Sequence, residues 1–282
     1  MENIKKLLKG VDEFPTLPTI YTTLSDVMAN PRSTVNQAAD IISRDQASAM
    51  KVLKTANSSI YGFRGKIDSI SQAIFYIGFE EVKNLVIALS VIDLFSNTKS
   101  THNFNPVELW KHSIAVGVIT RIIGTFIGAE KVENYFISGI LHDIGKLLFI
   151  NSLPKEYSKA VNYAFENNMT IRDAEAEILG VTHTVAGELV AEKWKLPLTI
   201  RESIRNHYSG MVNNKPDKLT SCVHIANIIA HCLEFGSSGD EIIQEPNLEA
   251  LKSLDLPNDI FTVLLPKITS DYDESLVLFQ LN

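Results

Sequence analysis

The stretch Gly139–Leu147 places a histidine, a carboxylate and a lysine inside an otherwise apolar run. His142 and Asp143 are adjacent, and Lys146 follows about one helical turn later. Groups of this kind cost free energy in apolar surroundings unless a partner satisfies them. A metal ion, a phosphate or a local hydrogen-bond network can each be that partner, and which of them it is decides whether the chain is an enzyme.

Three further histidines fall on predicted helices that can reach this doublet. His112 shares a helical face with apolar residues, and Glu108 lies one turn before it. His183 opens a second predicted helix, and His207 ends a third. Neutral imidazoles together with a carboxylate suit zinc, iron, manganese or nickel, whereas magnesium and calcium prefer oxygen ligands. Because a single inward histidine is more often a hydrogen-bonded core residue, only the combination points to a metal or phosphate pocket.

The elements that carry these residues are predicted to be helices. Apolar residues recur every three to four positions along the chain, and no segment shows the strict alternation of a strand. After the first hundred residues, which favour short helices, the periodicity predicts helices over 106–127, 132–149, 155–168, 171–179, 183–194, 198–208 and 218–234. The tail after Asp240 is predicted to contain short helical pieces broken by Pro246, Pro257 and Pro266. The predicted fold class is all-α, with two lobes of packed helices.

A polar segment separates the two predicted lobes. Ser96–Thr101 consists of small and polar residues between apolar helices and is typical of a linker. The sequence therefore predicts an N-terminal helical lobe over residues 1–98, and a second helical lobe with a helical tail over residues 99–282.

Net charge, apolar runs and cysteine content indicate which binding partners and which cellular compartment to expect. The net charge of −7 argues against non-specific binding to nucleic acid or to an anionic membrane. The apolar run Leu85–Leu94 is too short to span a bilayer, and the apolar stretch that follows Met1–Lys6 is shorter than expected of a signal peptide. Cys222 and Cys232 lie ten residues apart on one predicted helix and form neither a zinc pair nor a disulfide framework. We expect a cytoplasmic protein with no direct nucleic-acid or membrane partner.

Several motifs together resemble the HDOD (HD-related output) domain, a branch of the HD superfamily of metal-dependent phosphohydrolases. Leu141–Lys146 is similar to the superfamily signature. The stretches that match the HDOD branch are spread over about residues 10–235 and comprise Leu17-Pro18, Ile42–Ala47, Leu53–Gly62, Ile70–Ile74, Ile77-Gly78 and Trp194–Pro197. The resemblance implies an all-helical protein in which an N-terminal bundle packs on an HD-like lobe. It also implies a bacterial signal-transduction or regulatory module, a class whose members mostly lack hydrolase activity.

The resemblance also implies a set of metal ligands. HD enzymes bind metal through a histidine, the His-Asp doublet and a later aspartate, and the first three match His112, His142 and Asp143. At the position of the later aspartate this chain has Asn227. An asparagine offers a neutral carbonyl oxygen, so the site is expected to bind a cation more weakly.

Further positions resemble the branch that hydrolyses cyclic di-GMP. His183 and His207 match two of its additional histidines, and Glu108 is placed like another of its ligands. A histidine expected directly after His207 is replaced by Tyr208, and the Gly-Tyr-Pro hallmark of that branch is missing. The centre thus has more ligands than a typical degenerate module and fewer than a working enzyme.

Two functions follow as expectations. The first is a stand-alone regulatory module that acts through a protein partner and is not catalytic. In it, His112, His142, Asp143, His183 and His207 either hold a divalent transition metal (iron, manganese, nickel or zinc) or bond to one another. The alternative is a metal-dependent phosphohydrolase or phosphodiesterase acting on a cyclic or other nucleotide. In that case Lys146 stabilises the charge on the phosphate.

Overall fold

The computed structural model of the chain describes residues 2–17, 19–30, 32–58, 61–63, 65–98 and 104–279. Within these residues the fold is all-α, which confirms the predicted class. The helices of the N-terminal part are α1 (Glu2–Glu13), α2 (Thr19–Ala29), α3 (Val35–Ser43), α4 (Gln46–Ala56), α5 (Ile70–Ile77) and α6 (Phe79–Asn97). Each described helix is too short or too polar to cross a lipid bilayer.

The C-terminal part contains the longer helices. They are α7 (Pro106–Phe126), α8 (Val132–Leu141), α9 (Ile144–Ser152), α10 (Pro154–Asn167), α11 (Ile171–Ile178), α12 (His183–Lys193), α13 (Leu198–Asn206), α14 (Lys218–Cys232), α15 (Leu248–Ser253) and α16 (Ile260–Leu278). A two-residue hairpin that the sequence pattern did not predict joins β1 (Met211–Val212) to β2 (Lys215–Pro216). Asn213 and Asn214 both have positive φ, which suits the tight turn of such a hairpin.

The packing defines which helices belong together. Helices α2 to α6 pack on one another, and α6 also contacts α7 and α8 of the second lobe. Helix α1 packs on α9 and α12, so the first helix of the chain lies on the second lobe. The boundary between residues 98 and 99 stays a prediction, because 99–101 of the proposed linker lie outside the described residues.

Helix α7 is the central helix of the second lobe. Asn105 caps it by accepting a hydrogen bond from the Val107 amide, and Pro106 occupies the first turn, where its missing N–H costs nothing. A Cβ atom at Gly139 of α8 would lie 2.6 Å from the Gly117 Cα of α7. The two backbones therefore cross in direct contact, which brings the helix carrying His112 against the helix that ends beside the His-Asp doublet.

The predicted helix over 132–149 is wrong in one respect that matters for the site. Helix α8 ends at Leu141 and α9 begins at Ile144, so His142 and Asp143 lie at the break. Asp143 has φ −103° and ψ 12°, outside the helical region. Successive side chains on a continuous helix point about 100° apart. The break removes that constraint and lets both members of the doublet face one pocket.

The tail is more regular than predicted. Pro246 and Pro257 do separate helices, but α16 continues through Pro266. A proline inside a helix loses one backbone hydrogen bond. Packing of α16 on α7 offsets that loss, with Ile268 and Tyr272 buried.

Candidate metal centre

The structure brings together all five residues that the sequence predicts as metal ligands. The four histidines are fully buried, and Asp143 is 2% exposed. Their ligand atoms form two groups, each with its members within 4.8 Å of one another: His112, His142 and Asp143, and Asp143, His183 and His207. Asp143 belongs to both groups, so it is the central residue of the cluster.

Hydrogen bonds fix the tautomers of two of these imidazoles. The Nδ1 atoms of His142 and His207 donate to the carbonyl oxygens of Gly139 and Ile204, at 2.7 and 2.9 Å. Each acceptor lies three residues before its histidine. The Nε2 atoms are left without a hydrogen-bond partner among the described residues. Metal-binding histidines are commonly held in this way, with one nitrogen bonded to the protein and the other directed at the ion.

His183 lies between two carboxylates. Its Nδ1 is 2.7 Å from Glu175 Oε2, and its Nε2 is 3.2 Å from Asp143 Oδ1. Burial by itself would lower the pKa of His183, but the charge of Glu175 raises it to about 9. In the metal-free protein His183 is therefore an imidazolium. Glu175 was not among the site residues predicted from the sequence. Its position next to Ala174, a carboxylate on the apolar face of α11, could have indicated it.

Lys146 points into the same cluster. Its Nζ lies 2.9 Å from Asp143 Oδ2 and 3.5 Å from Asp240 Oδ2, and it donates to the Ser238 carbonyl at 3.0 Å. Burial would raise the pKa of Asp143, but His142 and Lys146 hold it well below its usual range. The buried carboxylate is thus ionised and balanced by an internal ammonium group. The phosphate-binding role expected for Lys146 stays a prediction, and its 1% exposure does not favour that role.

The loop between α14 and α15 covers the cluster from one side. Ser237 donates its amide to the Glu108 carbonyl of α7 at 3.0 Å, and Asp240 accepts the Ile171 amide at 2.6 Å. Gly236 has positive φ, and a Cβ atom there would lie 2.3 Å from the backbone nitrogen of His112. The loop therefore rests directly on α7. Its Gly-Ser-rich composition suggests only a turn, so Asp240 and Ser238 could not be identified as partners of Lys146 from sequence.

Asn227 takes the place next to His112. Its Oδ1 lies 2.8 Å from His112 Nε2, so a hydrogen bond occupies that nitrogen, while Nδ1 of His112 has no hydrogen-bond partner among the described residues. Burial lowers the pKa of His112 and of His207, and His142 lowers both further, so these two imidazoles are neutral. The neutral form is the one that binds metals.

Two residues singled out by sequence lie at the margin of the cluster. Glu108 does not join it, because its carboxylate pairs with Lys111 at 2.8 Å on the partly exposed side of α7. Tyr208 lies beside it, with its ring next to His183 and His207 and its hydroxyl 3.4 Å from Asp240 Oδ2. The guanidinium of Arg172 covers that ring at 5.1 Å. Tyr208 thus fills the space where the resemblance implies a further histidine.

The chemistry of the donor set fits a divalent transition metal. Imidazole nitrogens and a single carboxylate converge, and one buried nitrogen on each of the four histidines has no hydrogen-bond partner among the described residues. Unpartnered buried acceptors are costly in a folded protein unless an ion or another group satisfies them. The residues present are therefore suited to hold an ion, although Asn227 and Lys146 both reduce the negative charge available to it.

Comparisons with known proteins agree with this picture. The HDOD domain model matches residues 14–210 of the chain. An uncharacterized protein of Treponema pallidum is 23% identical over 236 residues, which are 82% of this chain and 45% of that protein. The uncharacterized protein YuxH of Bacillus subtilis is 27% identical over 143 residues, or 51% of this chain and 34% of that protein. The chain spans less than half the length of these curated relatives.

Solved structures share the fold along almost the whole chain. An HDOD domain protein of unknown function from Geobacter sulfurreducens is 25% identical, with a TM-score of 0.79 over 99% of this chain and 100% of that one. A candidate phosphohydrolase from Shewanella amazonensis is 24% identical, with a TM-score of 0.75 over 98% of each chain. Since the family model covers well over half of the sequence and the fold agrees with it, this chain belongs to the HDOD domain family.

Proposed function

We propose that the chain is a regulatory signal-transduction module of the bacterial cytoplasm, which acts through protein contacts and contains a buried, non-catalytic metal centre. The burial of the centre carries this proposal. The four histidines are 0% exposed, and Asp143 and Lys146 are 2% and 1% exposed. Hydrolysis requires a phosphate ester and a water molecule to reach the metal. Here Tyr208 and the 236–240 loop occupy two sides of the cluster.

The proposed ligands of the metal are the five clustered residues, with zinc, iron, manganese or nickel as the ion. Support comes from the unpartnered Nε2 atoms of His142 and His207 and from the central position of Asp143. A bound ion of this kind would supply Lewis acidity and lower the pKa of a coordinated water. The protein supplies the orientation of the ligands, through the Gly139 and Ile204 carbonyl groups that hold the two rings.

Asn227 supports a regulatory role over a catalytic one. It replaces the anionic ligand that the resemblance implies with a neutral amide, and it contacts His112. Removing one negative ligand weakens the binding of a divalent cation, since affinity depends on the charge of the ligands. An amide also cannot take a proton from a coordinated water. Both effects favour an ion with a structural role.

An aromatic patch on the N-terminal lobe supports a protein partner. The side chains of Phe63, Phe75 and Tyr76 are 39%, 78% and 54% exposed. Their rings lie close together, with centroid distances of 5.5 Å for Phe63–Tyr76 and 5.3 Å for Phe75–Tyr76. Single exposed apolar residues are ordinary, but clusters of exposed aromatic rings mark protein-binding surfaces.

A second candidate function is a metal-dependent phosphohydrolase or phosphodiesterase acting on a nucleotide. The membership of Asp143 in both groups of ligands favours it, because a shared carboxylate can bridge two ions, as in two-metal hydrolases. For this function Lys146 would have to leave Asp143 to meet the phosphate, and the covering loop would have to open.

Metal analysis and turnover assays separate the two functions. The protein is purified without added metal, analysed for bound elements, and then assayed with manganese on cyclic di-GMP and on bis(p-nitrophenyl) phosphate. The regulatory proposal expects bound metal at about one ion per chain or more and no turnover. Turnover that is lost in His142→Ala would overturn it in favour of the hydrolase. A chain that takes up no metal, and whose Tm does not change with chelator, would overturn the metal centre itself.

A further inference from the structure

A cavity of about 310 Å³ lies at the seam between the two lobes, separate from the metal centre. Helices α4 and α6 of the first lobe, α7 and α8 of the second, and the terminal helix α16 all contribute to its walls. On α7 its lining residue Arg121 comes nine residues after His112, which is roughly 14 Å along the helix axis. The ligands of the metal centre therefore take no part in this cavity.

The walls of the cavity are mainly apolar. They include Leu85 of α6, Val118 of α7 and Phe136 of α8, each buried in the core, and the partly buried Leu264 of α16. A volume of this size, apolar walls and a few polar groups are typical of small-molecule sites. The cavity thus has the size and lining of a site for a small ligand with an apolar body.

The hydroxyl groups around the cavity already donate hydrogen bonds to other groups of the protein. Tyr61 donates to the carboxylate of Glu81. The other three donate to a carbonyl four residues earlier in their own helices: Thr55 to Lys51, Thr125 to Arg121 and Ser275 to Asp271. None of these hydroxyls therefore has a proton left to donate to a ligand.

Two cationic groups supply the remaining donors. The guanidinium of Arg121 lies 4.6 Å above the ring of Tyr61 and forms an ion pair with Glu81 at 3.7 Å from Oε1, a distance too long for a hydrogen bond. It makes no hydrogen bond to any described residue. Lys267 pairs with Asp271 at 2.8 Å, and its ammonium group has further protons. The polar side of the cavity thus offers N–H donors with positive charge.

We propose that this cavity binds a small amphipathic carboxylate, with its apolar body among Leu85, Val118, Phe136 and Leu264 and its carboxylate on Arg121. A guanidinium matches a carboxylate with two parallel hydrogen bonds, and charged donors make the stronger bonds. Lys267 already neutralises Asp271, the one carboxylate among the described residues that line the cavity. A ligand in this position contacts helices of both lobes, so its binding stabilises their packing by mass action.

Calorimetric titration of the full chain tests the proposal, with decanoate, its uncharged analogue decanol, and acetate, all below the micelle concentration. Decanoate is expected to saturate one site per chain. Decanol should bind at least about tenfold more weakly because it lacks the charged hydrogen bonds, and acetate should bind at least about tenfold more weakly because it has no apolar chain to bury. Equal binding of decanol and decanoate, or no saturable decanoate binding, would overturn the proposal.

Three variants locate the site. Arg121→Gln should weaken decanoate about tenfold and remove the preference for decanoate over decanol. Leu264→Trp fills the cavity and should abolish the binding of both, which keeps the test decisive if Arg121→Gln disturbs the fold. Arg201→Gln removes a guanidinium that pairs with Glu192 on the surface, and should bind like the unmodified chain. Decanoate binding that Leu264→Trp leaves unchanged would place the ligand elsewhere and overturn the assignment.

Discussion

At the scale of single residues, the ion pair of Lys146 and Asp143 controls the charge of the centre. Both side chains are buried away from solvent, and their charges balance each other across a distance of 2.9 Å. Breaking a buried pair by removing one partner costs about 3–5 kcal/mol, because the other charge is left uncompensated. The ammonium group therefore does in the metal-free protein what a metal cation would do in the metal-bound one.

Replacing this lysine should make stability depend on metal. We expect Lys146→Gln to lower the free energy of unfolding of the metal-free protein by about 3 kcal/mol. Saturating zinc should restore most of the loss, since the ion then balances Asp143. Urea unfolding with chelator and with zinc measures both values. Lys155→Gln, at an exposed position of α10, is the control and should change neither. A loss that zinc does not reduce would contradict the compensating role of Lys146.

Asn227 is the second residue that sets the affinity of the centre. Asn227→Asp returns a carboxylate to a position 2.8 Å from His112. An added anionic ligand should tighten the binding of manganese or zinc by about tenfold or more, as ligand charge tunes metal affinity. Competition with a chromophoric chelator measures the change. Asn167→Asp, on the exposed end of α10, is the matched control and should leave the affinity unchanged.

The charge of His183 should be visible as a pH dependence. Its folded pKa of about 9 is above the ordinary value of 6.5, so protonation stabilises the metal-free fold. This stability is fully present below pH 6.5 and is lost as the pH rises through 9. Unfolding in chelator across this window should show a decline for the unmodified chain and a flatter profile for His183→Gln. Parallel profiles would show that Glu175 does not hold a charged ring.

At the scale of elements, the close contact between α9 and α12 positions the two halves of the centre. A Cβ atom at Gly145 would lie 2.0 Å from the His183 carbonyl oxygen and 2.6 Å from the Gly187 nitrogen, both rigid backbone atoms. Gly145→Ala should therefore separate the helices, destabilise the fold by about 2–3 kcal/mol and lower the bound metal per chain. Thermal unfolding and elemental analysis measure the two effects. Gly65→Ala meets nothing within 4 Å and is the control.

The elements also show which features a sequence can predict. The inward histidines of α7 and α12, and His207 directly after α13, were predictable, because residue type and helical period define their faces. The break between α8 and α9 was not predictable, since Ile140–Leu147 contains no proline and its apolar residues have a spacing that fits a continuous helix. Helix α16 continues through Pro266 and packs on α7, and such tertiary contacts have no local signal in the sequence. The carboxylates of Glu175 and Asp240 reach the centre through the same kind of long-range packing.

At the scale of the whole molecule, hydrogen bonds from two side chains at the end of α12 hold the N-terminal segment on the second lobe. Lys193 at the end of α12 donates to the carbonyl groups of Val11, Asp12 and Phe14 at 2.7, 2.7 and 2.6 Å. Trp194 adds a bond to the Pro15 carbonyl at 2.9 Å. Lysine commonly satisfies the last carbonyls of a helix in this way. The first helix of the chain thus closes over helices that carry the centre.

Removing the Lys193 ammonium should release this segment first. We expect Lys193→Met to cost about 2–3 kcal/mol, in the range for hydrogen bonds to a charged group. Proteolysis should then cut residues 14–17 before any other part of the chain. Mass spectrometry of the early fragments identifies the site. Lys159→Met, an exposed lysine of α10, should leave the cleavage pattern as it is. Cleavage that begins elsewhere in Lys193→Met would contradict this fastening.

The interruption between α8 and α9 also gives the doublet an electrical polarity. His142 lies at the carbonyl end of one helix, and Asp143 lies at the amide end of the next. Aligned peptide dipoles place about half a negative charge at a carbonyl end and about half a positive charge at an amide end. An imidazole that binds cations and a carboxylate that must stay ionised are therefore each placed at the favourable pole. In the opposite order, aspartate before histidine, the carboxylate would lie at the negative end of α8 and the imidazole at the positive end of α9, which is unfavourable for both.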